Sequence, residues 1–165
     1  MVCQGMAEGS VVIAKKDLYF HIEGIKYQDL AEMSEKGQRK QNGLNAILMD
    51  GRKSPTVTGK VATVNGKRIA LFKHRGQVYA MDEHCPHMGG PLHLGDIEEL
   101  GEARRLCIVC PWHKWKFNII TGETESPVNS NLKVSLYPVE VKTSGCLFVA
   151  FEAISQDFFN CTEEF

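Results

Sequence analysis

Two short strings constrain this chain more than anything else in it: Cys85-Pro86-His87 and Cys110-Pro111-Trp112-His113. The 22 residues Met88–Val109 separate them. Each string offers one thiol and one imidazole, close together. Two cysteines and two histidines can hold Zn²⁺ tetrahedrally. They can equally hold a [2Fe–2S] cluster in which two histidines replace two cysteines on one iron. Cys107-Ile108-Val109-Cys110 adds a C-x₂-C spacing, which permits a Cys₃His zinc site or a thioredoxin-like redox pair. The redox pair needs a helix opening at its first cysteine. Pro111 followed by a β pattern speaks against that, so Cys107 reads as a buried strand residue.

The six cysteines are Cys3, Cys85, Cys107, Cys110, Cys146 and Cys161. We see no secretory signal or transit peptide in the first residues, so we expect a cytoplasmic protein with reduced thiols. In that setting clustered Cys and His read as metal ligands and not as three disulfides. Lys+Arg total 19 and Asp+Glu 20, a net charge of −1. That excludes a generally basic nucleic-acid binder, which needs cation excess to neutralise phosphates. No run reaches the roughly 18 apolar residues of a membrane span. Apolar residues at 43% are ordinary for a globular domain, and we expect a monomer.

The strands are legible from about Pro55. Val61–Val64, Asn65-Gly66 and Arg68–Phe72 read as a hairpin, because Asn-Gly tolerates positive φ. Arg75-Gly76 marks a second turn before the strand Val78–Met81. Trp115, Phe117 and Ile119 alternate along a strand that Thr121-Gly122 closes. Val134–Lys142 and Cys146–Glu152 form a further hairpin around Thr143-Ser144-Gly145. Short, regularly spaced strands predict an all-β fold, an antiparallel sandwich or partly open barrel, with the chemistry in an inserted subdomain of long loops. We divide the chain into an extension (1–54), a domain (55–152, cluster-binding part about 83–122) and a tail (153–165). Within the extension, Val11–Ile13 and Leu44–Met49 read as strands and Tyr27–Lys36 as a short helix.

CPHMGGPLHLGD followed by CPWHKWKFNIITGE resembles the Rieske iron–sulfur family over about residues 57–152. The strings GGPLHLGDIE and CIVCPWHK are most like those of the small soluble Rieske-domain-containing proteins of animals. The resemblance implies one [2Fe–2S] cluster, with Cys85 and Cys110 on the inner iron and His87 and His113 on the outer. It also implies a third loop, Pro127–Leu132, over the cluster. Glycines after the first box fit iron–sulfur assembly, which needs close backbone approach; zinc does not require them.

The departures carry information. The cytochrome-complex branch clamps its loops with a disulfide, whose positions correspond here to Gly90 and Trp112. Its hydroxyl donors to the cluster correspond to Trp115 and Phe117, which have none. Fewer donors to sulfur stabilise the reduced form less, so we expect a potential near the low end of the Rieske range, about −150 mV. Lys114 stands where many relatives have Gly. The spacer is long, and its segment Asp96–Glu102 reads as an acidic bulge or solvated loop. His21, His74, His84 and His93 read as surface residues or neighbours of the ligands. Met88 reads as a loop-tip contact, and the aromatics as core that shields the cluster.

The function expected is one-electron transfer by a soluble carrier, from a flavin-dependent reductase to a terminal oxygenase or other acceptor. Catalysis of its own is not expected. Only 52 residues follow His113 and none is histidine, so they supply no mononuclear iron site. No Gly-rich dinucleotide fingerprint occurs either. The alternatives are a redox- or iron-sensing module and a structural zinc domain for protein interaction.

Overall fold

The computed structural model describes residues 17–33 and 59–156. The strands expected at Val11–Ile13 and Leu44–Met49 lie outside those residues. Eleven strands are present among the described residues, and every strand pair is antiparallel.

Both hairpin signals are met. β2 (Lys60–Val64) and β3 (Lys67–His74) pair with Val64 opposite Lys67 across Asn65-Gly66. β4 (Gln77–Asp82) pairs with β3, His74 opposite Gln77, across Arg75-Gly76. The four turn residues have φ between 51° and 74°, the left-handed pairs of a type I′ turn. β9 (Leu136–Tyr137) completes this sheet in the order β2-β3-β4-β9.

The second sheet has the order β1-β11-β10, from β1 (Leu18–Lys26), β10 (Val139–Val141) and β11 (Cys146–Phe151). The extension therefore supplies a full strand. Its expected helix is, over the described part, a single 3₁₀ turn at Tyr27–Asp29 followed by extended chain. That chain docks on β3: Met33 N donates to Lys73 O at 2.8 Å. The strand expected over Val134–Lys142 is split at Pro138. Proline has no N–H for the ladder. The chain changes sheets there, and Pro138 O accepts from Ala150 N at 2.9 Å.

The inserted third sheet lies between β4 and β9 in the chain. It comprises β5 (Asp96–Leu100), β6 (Arg105–Val109), β7 (Lys116–Asn118) and β8 (Thr124–Ser126), in that order. The aromatic strand is shorter than expected because Asn118 ends it. Its Oδ1 accepts from the backbone of Ile120 (2.9 Å) and Thr121 (3.2 Å), a local turn that competes with the ladder. The acidic segment is not a loop. It is β5, paired residue for residue with β6 from Asp96–Val109 to Leu100–Arg105. Its charges are met locally: Glu99 accepts from Arg104 (2.7 Å) and Arg75 (2.9 Å), and Glu98 from Lys116 (2.8 Å). The Arg104 hydrogen bond above all holds the Glu99 carboxyl below the usual carboxylate range. The expected acidic bulge is thus a neutralised strand.

Two cores result, and β3 belongs to both. Ile69 and Leu71 face Ile22, Leu147 and Val149 of the sandwich. Ala70 and Phe72 face the inserted sheet, with Ile108 and Phe117. Cys85 and Cys110 belong to this second core, so the site is built into packed structure.

Candidate metal centre

The two ligand strings fold into the same turn. In the first, Gly89 N donates to Cys85 O (2.8 Å) and Cys85 N to Gly90 O (2.9 Å). In the second, Lys114 N donates to Cys110 O (3.1 Å) and Cys110 N to Trp115 O (2.8 Å). The matching residues Gly89 and Lys114 have φ of 73° and 60°. Glycine adopts that region freely and lysine does not.

The four expected ligands come together as two pairs. Cys85 and Cys110 are buried and share a hydrogen bond. Burial pushes the Cys85 thiol up; the backbone amides of His87 and Met88 oppose this by donating to its sulfur, and the Cys110 thiol adds to the rise. The imidazoles lie outward, with His87 half-buried and His113 exposed. Their centroids are 5.0 Å apart and their planes nearly perpendicular. Among the described residues, no three His, Cys, Asp or Glu side chains form a set that would hold a single metal ion. Two buried thiols thus lie inside and two imidazoles at the rim, the residue types that can hold a metal group between them.

Two further observations fit such a group. A Cβ on Gly90 would lie 2.7 Å from Cys110 Sγ, so only glycine leaves this space open. His87 Nδ1 is buried and has no hydrogen-bond partner, an unusual state for a polar atom that a ligand would relieve.

A family model for soluble Rieske-type ferredoxins matches residues 50–133, just over half of the sequence. The chain belongs to the soluble Rieske-type ferredoxin family. Membership implies an iron–sulfur cluster. A human Rieske domain-containing protein is 50% identical over 74 residues, covering 45% of this chain and 44% of its own length. The chain thus spans less than half of that relative. The ferredoxin component of the naphthalene 1,2-dioxygenase/salicylate 5-hydroxylase systems of Ralstonia sp. is 33% identical over 103 residues. That match covers 62% of this chain and 89% of the relative. The fold is also similar to that of the E. coli protein NirD, with TM-score 0.58 and 18% identity over 84% of this chain and all of the other.

In this Rieske-type ferredoxin, Gly90 and Trp112, where the resemblance led us to expect no disulfide clamp, face each other. The Trp112 indole lies 3.4 Å from the Cβ position of Gly90. Trp115 reaches across from the second loop and stacks on His87 of the first, at 4.2 Å and 13°. Aromatic surface therefore joins the two loops. The aromatics do not share one place: Phe117 is buried core, Trp115 stacks on the His87 ring, and Trp112 is 59% exposed. Met88 is 62% exposed.

Cys107 is a buried residue of β6, and burial pushes its thiol up to about 11. The spare histidines separate. His21 is exposed on β1 against Phe148. His74 is neither a surface residue nor beside the ligands: it is buried, with Nδ1 2.6 Å from Met33 O, because the extension covers it. His84 and His93 flank the first ligand loop, and both reach Glu83. That acid escaped the sequence reading. Its position two residues before Cys85 was its only signal, and burial is not legible at one position.

Proposed function

We propose that this chain is a one-electron carrier that holds one [2Fe–2S] cluster through Cys85, His87, Cys110 and His113. The observation that carries the reading is the pairing of buried thiols inside and imidazoles at the rim of two matched loops, with Gly90 keeping the space between them open. When bound, the cluster accepts and returns a single electron at a potential raised by its neutral imidazole ligands.

The chain's own residues do the rest. The second core keeps water from the cysteine side. Amides of His87 and Met88 hold the Cys85 sulfur. Trp115 fixes the His87 ring plane, and exposed His113 presents the imidazole edge by which electrons pass. Met88 and Trp112 flank that edge as apolar contacts for a partner, and Pro127–Leu132 covers its side. The donor is a flavin-dependent reductase and the acceptor a terminal oxygenase; the name of the Ralstonia relative, an oxygenase-system ferredoxin, supports the latter. The protein works in the cytoplasm as a component of such a system, with no catalysis of its own.

Iron and acid-labile sulfide analysis, with EPR of the dithionite-reduced protein, tests this. Two irons and two sulfides per chain with a Rieske-type signal are expected, at a potential of about −150 mV. A single zinc and no signal would replace the reading with a structural metal module. His87→Cys tests the ligand assignment: it lowers the potential or abolishes assembly, and an unchanged spectrum removes His87 from the set.

A further inference from the structure

Glu83 is a buried acid that the electron-transfer reading leaves without a task. It is 2% exposed and sits where β4 gives way to the first ligand loop. A buried carboxylate is stable only when its oxygens are met by cations or donors. Here three groups meet them. Arg68 Nε on β3 donates to Oε2 at 3.5 Å. His84 Nε2 lies 3.0 Å from the same oxygen. His93 Nδ1 lies 2.7 Å from Oε1, without the alignment of a hydrogen bond. The backbone of the same residue is also engaged: Glu83 N donates to Arg68 O (3.2 Å) and Leu92 N to Glu83 O (2.8 Å).

These contacts bracket the ligand loop. His84 precedes Cys85 directly, and His93 lies in the 3₁₀ turn Leu92–Leu94 beyond the loop. His84 also pairs with Pro91 across its base. One side chain therefore ties both stems of the loop to the neighbouring strand. We propose that Glu83 is a positioning residue, which locks the loop carrying Cys85 and His87 and sets a negative charge at its base that lowers the cluster's potential. This rests on the cluster reading above. A fixed anion nearby favours the oxidised state, which carries less negative charge than the reduced one.

The test compares Glu83→Gln, which keeps the shape and removes the charge, with the unaltered protein. Iron, sulfide, EPR and midpoint potential are read on both. The expected result for Glu83→Gln is retained cluster and a positive shift in potential. Arg68→Gln provides a second arm on a half-exposed side chain, useful should Glu83→Gln not hold its cluster. Removing the cation that faces Oε2 leaves the acid less compensated, so its shift is negative. Rescue of the unaltered potential by Glu83→Asp would identify charge as the cause. If the unaltered protein holds two irons and two sulfides and either variant retains them with an unchanged potential, the inference is overturned alone. If the unaltered protein holds no cluster, the function reading has failed and this one with it.

Discussion

Lys114 occupies the backbone conformation that the twin loop gives to Gly89. A left-handed conformation costs a side-chain-bearing residue about 1–2 kcal/mol. Glycine loses about 0.5–1 kcal/mol more chain entropy on folding than alanine. The first effect wins, so Lys114→Gly should stabilise the fold by about 0.5–1 kcal/mol, read as a higher urea midpoint with unchanged slope. A lower midpoint would mean that the lysine side chain contributes more than its backbone costs. Cys107 gives a pH prediction. Its thiol, ordinarily near 9, is pushed up to about 11 by burial. A raised folded value means the fold binds that proton more tightly than the unfolded chain. The resulting stability is full below pH 9 and is lost as pH rises toward 11. Cys107→Val should flatten that part of the alkaline unfolding curve. An identical slope in the variant would assign the effect elsewhere.

At the level of elements, the hairpins around Asn65-Gly66 and Arg75-Gly76 were legible because their chemistry is local: two residues with positive φ suffice. The two matched turns that carry the candidate ligands were legible for the same reason, as cysteine, histidine and glycine at fixed spacing. β5 was not, because its row of acids has the composition of a solvated loop. It became a strand once β6 paired with it and arginines from two separate places in the chain, Arg75 and the Arg104-Arg105 pair, with Lys116, met the acids of the sheet. The break at Pro138 follows from a missing donor, yet which sheet takes each half is a tertiary outcome. The loops themselves yield a sharp expectation. In Gly90→Ala the new methyl would press on Cys110 Sγ from 2.7 Å. Overpacking of a closed site costs about 1–3 kcal/mol. Here it falls on the space between the ligand loops, so iron and sulfide content should drop well below that of the unaltered protein. Full cluster content in Gly90→Ala would show that the loops separate freely.

Taken whole, the molecule is two cores on the two faces of one strand. Both tryptophans, Trp112 and Trp115, lie in the inserted part, while most of the strand signal comes from all three sheets. Because β3 is buried on both faces, neither core can melt without exposing the other's wall. Tryptophan fluorescence and far-UV circular dichroism should therefore lose signal at the same urea midpoint. An earlier fluorescence transition would mean that the inserted sheet melts alone. Phe72→Ala should lower both midpoints together, through a stability loss of about 3–5 kcal/mol for a buried aromatic. The sequence by itself determined the all-β class, the turns and the four metal-binding candidates, since each depends on residues close in the chain. Only the tertiary structure decided that Trp115 stacks on His87, that the extension buries His74, and that Glu83 is a buried acid. Those three facts depend on which distant surfaces exclude water from a side chain, and contacts of that kind have no period or spacing to read.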